Sequence, residues 1–106
     1  MAAYDTYGTS THTVGDLVRL VSVRLGMTFT ERESHFRGVY HLADDHSVRV
    51  EVQPNEVPGD DVDEPFDEAH PECRVLVLTT TTAPGATLRA RLESIEGLLH
   101  LRHESV

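Results

Sequence analysis

Residues 35–53, with the sequence HFRGVYHLADDHSVRVEVQ, decide the fold class. Apolar and polar residues alternate strictly along the second half, in the order Val48, Arg49, Val50, Glu51, Val52 and Gln53. The first half alternates as well up to Leu42, and residues 43–46 between the two halves are turn-forming. The stretch therefore predicts a β-hairpin with one face on a core and the other in water.

The residues before the hairpin predict a helix. Thr13 is a good N-cap, and Asp16, three residues later, suits the first turn and the helix dipole. Gly26 is placed to end the helix in the left-handed conformation. The apolar residues between them recur at helical spacing: Val14, Leu17, Val18, Val21 and Leu25.

The remaining elements are predicted from shorter patterns. Residues 29–33 have the pattern of a strand, and residues 73–80 form a strand that is apolar on both faces and hence central. A second helix begins at the cap Thr87 and ends at Gly97. Residues 98–104 either continue this helix or form a last short strand, which we favour.

These elements predict one domain in a chain of 106 residues. We expect an α+β fold in two layers, with an antiparallel-rich sheet of four to five strands and two helices on one face. Residues 1–12 are predicted to be a flexible N-terminal arm, and residues 13–106 the domain. Pro54 ends the hairpin, and residues 54–72, here called the acidic segment, form a long loop. We expect residues 56–72 of this loop to be exposed at the edge of the sheet.

The charge is unevenly distributed. The chain has 18 acidic residues and 9 basic ones, all arginine, for a net charge of −9. Residues 51–72 contain no arginine and half of the acids: Glu51, Glu56, Asp60, Asp61, Asp63, Glu64, Asp67, Glu68 and Glu72. The rest of the chain has nine acids and nine arginines and is neutral. One stretch therefore carries the whole net charge.

Composition excludes several classes of protein. The negative field repels nucleic acid and anionic lipid, and no apolar run is long enough for a membrane helix. The first residues lack a secretory signal pattern. A single cysteine, Cys73, excludes an intrachain disulfide framework and a zinc site built on cysteine pairs. We therefore expect a cytoplasmic protein that binds neither nucleic acid nor membrane.

The acidic segment partly matches a calcium-binding loop. Asp61, Asp63 and Glu72 fall at positions one, three and twelve of the EF-hand pattern. Pro65 and Phe66 then occupy the fifth position and the glycine position, and no helices flank the loop. We therefore predict no EF-hand.

The other chemistry-bearing residues also fall short of a site. His70 and Glu72 match the H-x-E of zinc deaminases, but the cysteine pair that holds the metal is missing. His41 and His46 flank the hairpin turn without a third ligand, and Cys73 has the pattern of a small buried residue. No nucleophile elbow or phosphate loop is present. We predict no catalytic residue, no metal, no cofactor and no enzymatic activity.

The acidic segment is instead predicted to bind a basic partner protein. Many carboxylates attract such a partner, and Phe66 among them supplies an apolar anchor. The predicted partner-binding residues are Glu56, Asp60, Asp61, Asp63, Glu64, Phe66, Asp67 and Glu68. The alternative interpretation is a solvated loop that only aids solubility.

A resemblance supports the binding hypothesis. Four features follow one another along the chain: the aromatic hairpin 36–42, the strand that ends in Gln53, Pro54 and Asn55, the run Glu64, Pro65 and Phe66, and the apolar strand 75–78. Together they resemble small bacterial immunity proteins of contact-dependent or polymorphic toxin systems. The similarity covers about residues 28–80. It implies an inhibitor that neutralises a toxin.

Two other functions remain open at this point. A small ligand-sensing or regulatory domain that acts as a homodimer is the alternative, because a free sheet edge or face can pair with a copy of itself. An enzyme of unfamiliar type is the other. The sequence leaves the oligomeric state, the partner's identity and any small-molecule ligand open.

Overall fold

A computed structural model describes residues 3–34, 38–45, 47–57, 64–65, 70, 72–82 and 86–105. The elements along the chain are β1 (Ala3–Thr9), α1 (Val14–Leu25), β2 (Thr30–Ser34), β3 (Gly38–Asp44), β4 (Val48–Pro54), β5 (Glu56–Val57), β6 (Glu64–Pro65), β7 (Val75–Thr81), α2 (Ala86–Glu93) and β8 (Leu99–Ser105). Within these residues, no helix is long and apolar enough to cross a membrane.

Six strands form one antiparallel sheet in the order β2-β3-β4-β7-β1-β8. Both helices contribute to a single core with the sheet, in which Leu17 and Val21 of α1 and Leu92 of α2 are buried beside Val50 and Val77. The predicted α+β fold is confirmed, with one strand more than the predicted four to five.

The hairpin that decides the fold is present as β3 and β4. Ala43 pairs with Val50, and a tight turn follows, in which the Asp45 amide donates to the Val48 carbonyl at 2.8 Å. Val50 and Val52 are fully buried, whereas Arg49, next to Val50 on the opposite face, is exposed. The period of two therefore assigned the core face of β4 correctly, but Gln53 on the face predicted to lie in water is also buried.

Both predicted caps of α1 are confirmed. The Asp16 amide donates to Thr13 Oγ1 at 3.2 Å, which satisfies one of the free N–H groups of the first turn. Gly26 adopts φ 65° and donates to the Ser22 carbonyl at 2.8 Å. Leu17 and Val21, one turn apart, are fully buried and pack α1 against the sheet.

The predicted central strand is also confirmed. β7 lies between β4 and β1, and its residues Val75, Leu76 and Val77 are all buried on their two faces. The helices cover the face of Val75 and Val77. Leu76 belongs to the opposite face, so that face is also covered at this end of the sheet.

The prediction of a flexible arm over residues 1–12 is wrong. Residues 3–9 form β1, which lies between β7 and β8 and pairs with both. Tyr7 is only 1% exposed and Thr9 is buried as well. The segment looked loose because the polar residues Asp5 and Thr9 share the inward face of the strand with Tyr7.

The end of the chain follows the prediction in part. α2 begins one residue before Thr87 and ends at Glu93, before Gly97. Ile95 is buried in the core from the turn that follows, and Gly97 takes φ 85° ahead of β8. The favoured last strand is confirmed as β8.

Candidate functional site

The two ends of the acidic segment are fastened together at one point. Pro54 at the end of β4 lies opposite Val75 at the start of β7. The next residue, Asn55, is 1% exposed, and its backbone N–H donates to the Arg74 carbonyl at 2.9 Å. The strand ladder therefore continues one step beyond β4 and closes the segment into a loop.

The side chain of Asn55 strengthens this closure. Its Nδ2 atom donates to the carbonyl oxygens of His70 and Cys73, each at 2.9 Å. A carboxamide has two N–H donors, so one buried group satisfies two backbone carbonyls at the far end of the loop. Asn55 is thus the residue that orders the base of the acidic segment, and we call Asn55, His70 and Cys73 the loop base.

The loop base also contacts β1. The Arg74 amide donates to the Thr9 carbonyl at 2.8 Å. A Cβ atom on Gly8 would lie 2.8 Å from Cys73 Sγ, closer than side chains tolerate, so glycine permits this approach. Cys73 is a buried cysteine, as its strand-start pattern predicted. The loop base therefore rests on the face of the sheet opposite the helices.

The acidic segment contains strands that the sequence did not reveal. β5 and β6 pair antiparallel, with Glu56 opposite Pro65 and Val57 opposite Glu64. The segment also starts and ends at two central strands, not at an edge of the sheet as predicted. Of the predicted partner-binding residues, Glu56 and Glu64 lie in this small sheet. The others lie outside the described residues: Asp60, Asp61, Asp63, Phe66, Asp67 and Glu68.

A second cluster of chemistry-bearing residues lies at the seam between β1 and β8. Asp5 Oδ1 is 2.9 Å from His100 Nε2 and 2.8 Å from His103 Nδ1. The Asp5 and His100 side chains are 14% and 15% exposed, and the His103 side chain is 50% exposed. One carboxylate oxygen therefore accepts two hydrogen bonds from the neighbouring strand.

The environment favours the ionised form of Asp5. Burial on its own raises the pKa of this carboxyl, but the hydrogen bonds and charges of His100 and His103 outweigh burial and lower it below the ordinary 3.8. Asp5 is therefore a fixed negative charge at neutral pH.

Tyr7 extends the same cluster into the core. Its ring lies 5.0 Å from the His100 ring at an interplanar angle of 57°. Burial raises the pKa of Tyr7 to about 12, with a further contribution from the negative charges of Asp5 and Glu93. Tyr7 is therefore a neutral phenol throughout the physiological range.

The chemistry of this cluster favours a structural role. Both imidazoles are engaged by the same carboxylate oxygen, and the four residues Asp5, Tyr7, His100 and His103 include no serine or cysteine nucleophile. In the described part of the chain, no group of three or more histidine, cysteine, aspartate or glutamate residues is arranged to hold a metal ion. His46, which flanks the hairpin turn together with His41, lies outside the described residues.

Sequence reasoning missed both Asn55 as an organiser and Asp5 as a cluster centre. Asn55 follows a strand-ending proline at the start of the loop. That position is the one feature of the sequence that could have indicated a residue that closes the loop. Asp5 alternates with Tyr7 in a run rich in tyrosine and threonine, which is a strand pattern. Its histidine partners are 95 and 98 residues away, so no local pattern joins them.

Comparison with known proteins adds no family. No protein-family model matches the chain, and no curated protein matches it.

Proposed function

We propose that this protein is a non-enzymatic, cytoplasmic binding module that presents the acidic segment to a basic partner protein, as an inhibitor of the immunity type. One observation carries the proposal. A buried asparagine closes the stretch that holds the net charge into a loop fastened to the central strands.

Closure matters because a fastened loop loses less conformational entropy on binding. Ordering a free chain costs about 1–2 kcal/mol per residue, and preorganisation removes part of that cost from the binding step. The loop base and the β5–β6 pairing both reduce the freedom of the acidic segment before any partner arrives. A loop kept only for solubility needs no such fastening.

Charge supplies the discrimination. Half of the 18 acids lie in residues 51–72, and the remainder of the chain is balanced by nine arginines. A basic protein is therefore attracted to one side of the molecule, which accelerates the encounter and orients it. A nucleic-acid-cutting toxin with a basic active site is the class of partner that fits this field.

The experiment begins by isolating the partner. Wild-type protein and the fourfold variant Asp60→Asn, Asp61→Asn, Asp63→Asn and Glu64→Gln serve as baits in native lysate at low salt. A basic protein retained by the wild type and lost by the variant is then produced pure, and association and dissociation rates are measured at low and high salt. We expect at least tenfold slower association for the variant and a weaker dependence on salt.

The apolar anchor is tested separately with Phe66→Ala. This change should speed dissociation and leave the salt dependence nearly intact, because it removes apolar contact and not charge. Equal association rates for the wild type and the fourfold variant, with both folded, would contradict the proposal. The acidic segment would then be a solubility feature, and the sheet surface with Arg49 and Glu51 would be the next candidate.

A further inference from the structure

The described six-stranded sheet has two outer strands, β2 and β8, and their edges differ in character. The side chains of Glu31, Arg32 and Glu33 in β2 are all exposed. A second copy paired about Arg32 would place Glu31 of each chain opposite Glu33 of the other, and like charges directly opposite destabilise a sheet. β2 therefore has the composition of a protected edge.

The edge of β8 also carries exposed charges, but Arg102 and Glu104, on either side of His103, have opposite signs. The strand is seven residues long, and no proline interrupts it. Leu99 in this strand is 63% exposed. A shift in register near Thr6 disturbs the pairing of β1 with the first half of β8, whereas Arg102 to Ser105 follow β1 without interruption. The second half of β8 is therefore a regular strand edge of the type that accepts a further strand.

We propose that this edge pairs antiparallel with β8 of a second copy of the chain, which joins two six-stranded sheets into one continuous sheet. The arrangement is a two-fold dimer in which the axis is perpendicular to the sheet and all helices lie on the same side. Residues that oppose each other across the axis must then face the same side of the sheet.

Charge selects one register among those that this symmetry permits. An axis at Arg102 places two guanidinium groups opposite each other. An axis at Leu101 pairs His100 with Arg102 and includes the first half of β8, where the register with β1 shifts. An axis at His103 pairs Arg102 of each copy with Glu104 of the other. Opposite charges across strands stabilise a sheet and like charges destabilise it, so the axis lies at His103. Each central His103 is already bonded to its own Asp5 carboxylate.

The proposed axis and the loop base lie towards opposite ends of the strands. The loop base lies at the Val75 end of β7, whereas Ala3 pairs with both Thr81 and Ser105 at the opposite end of the sheet. The proposed axis at His103 is therefore about 10–20 Å from the loop base along the strands. Arg102 and Glu104, which the test exchanges, lie outside the acidic segment, so the test is independent of the function of that segment.

The test is sedimentation velocity of the full chain over a wide concentration range at pH 7.5. The wild type should form dimers as concentration rises. Arg102→Glu brings two glutamates together at both cross-strand pairs, and Glu104→Arg brings two arginines together at both. Each single variant should therefore raise the dimer Kd at least tenfold. The double variant restores two opposite-charge pairs and should dimerise again.

A mixture of the two single variants gives the sharpest result. Only a heterodimer of the two pairs glutamate with arginine at both positions, so the mixture should dimerise while each variant alone stays monomeric. Arg32→Glu on β2 is the matched control and should leave dimerisation unchanged, and melting curves verify that each variant is folded. A monomeric wild type at every concentration, dimers lost through Arg32→Glu, or no heterodimer in the mixture would each overturn the proposal.

Discussion

The loop base and the β1–β8 seam each join two separate parts of the chain through a polar side chain, but with different chemistry. At the loop base, an uncharged amide donates to two carbonyl oxygens that lie 15 and 18 residues along the chain. At the seam, a carboxylate accepts from two imidazoles that lie 95 and 98 residues away. The hydrogen bonds of the loop base join the two ends of one loop, and those of the seam join β1 to β8, the first and last described strands.

This difference separates what pH can change from what it cannot. The amide and carbonyl groups that join the loop base do not titrate, so the acidic segment can gain or lose protons while its base stays ordered. The seam depends on an ionised carboxylate whose lowered pKa records its bonding to the histidines. The closure of the proposed binding loop is therefore independent of pH, whereas the stability of the β1–β8 pairing depends on it.

The largest expected effect breaks both regions at once. Val50→Asp places a charge at a fully buried position of β4. Val50 belongs to the core shared by the sheet and both helices, and the loop base and the seam both depend on that sheet. An unpaired buried charge costs several kcal/mol of a total stability of roughly 5–15 kcal/mol. We expect loss of the folded state by circular dichroism and thermal melting. Val23→Asp, the same change at a position of α1 that is 77% exposed, should leave the protein folded.

The next effect is specific to the loop base. Asn55→Ala removes both donors from the His70 and Cys73 carbonyls, and leaving buried acceptors without partners costs about 1–3 kcal/mol. Urea unfolding should show this loss equally at pH 5 and pH 8. A variant as stable as the wild type, or a loss that changes with pH between these values, would contradict the assignment of Asn55.

A smaller effect is expected at the seam, and it depends on pH. The folded pKa of Asp5 lies below 3.8, so its carboxylate stabilises the fold above that pH, and this contribution disappears as pH falls through the folded pKa. Asp5→Asn should therefore cost about 1 kcal/mol at pH 7 and progressively less below pH 4. Asp44→Asn at the exposed end of β3 is the control. Parallel stability curves for the wild type and Asp5→Asn from pH 7 to pH 2 would show that the ionised seam contributes nothing.

The smallest effect on stability is expected in the acidic segment itself. The fourfold neutralisation of Asp60, Asp61, Asp63 and Glu64 changes the net charge from −9 to −5 without touching the loop base. We expect the free energy of unfolding to change by no more than about 0.5 kcal/mol. A destabilisation comparable to that of Asn55→Ala would mean that these carboxylates serve the fold rather than a partner.

Patterns of local origin could be predicted from the sequence. The valine alternation of β4 and the two caps of α1 depend on neighbours within a few residues, and the structure places all of them as predicted. The doubly apolar run of β7 likewise predicted its central place. Each of these signals is complete within one element.

The features that escaped prediction depend on remote partners. β1 looked like an arm because Asp5 is polar, and its polarity is tolerated only through His100 and His103 on β8. The two-residue strands β5 and β6 are too short for any period to appear. Asn55 was noticed only as part of a resemblance, because its carbonyl partners lie across the loop.

The position of β1 also fixes an order of folding. Strands β2, β3 and β4 are consecutive neighbours, so they close through short loops at little entropic cost. β1 is made first, yet its two neighbours in the sheet begin at residues 75 and 99. β1 therefore cannot pair with either neighbour until those later strands have been synthesised. High sequence separation of this kind slows folding, and we expect the insertion of β1 between β7 and β8 to be a late step in forming the sheet.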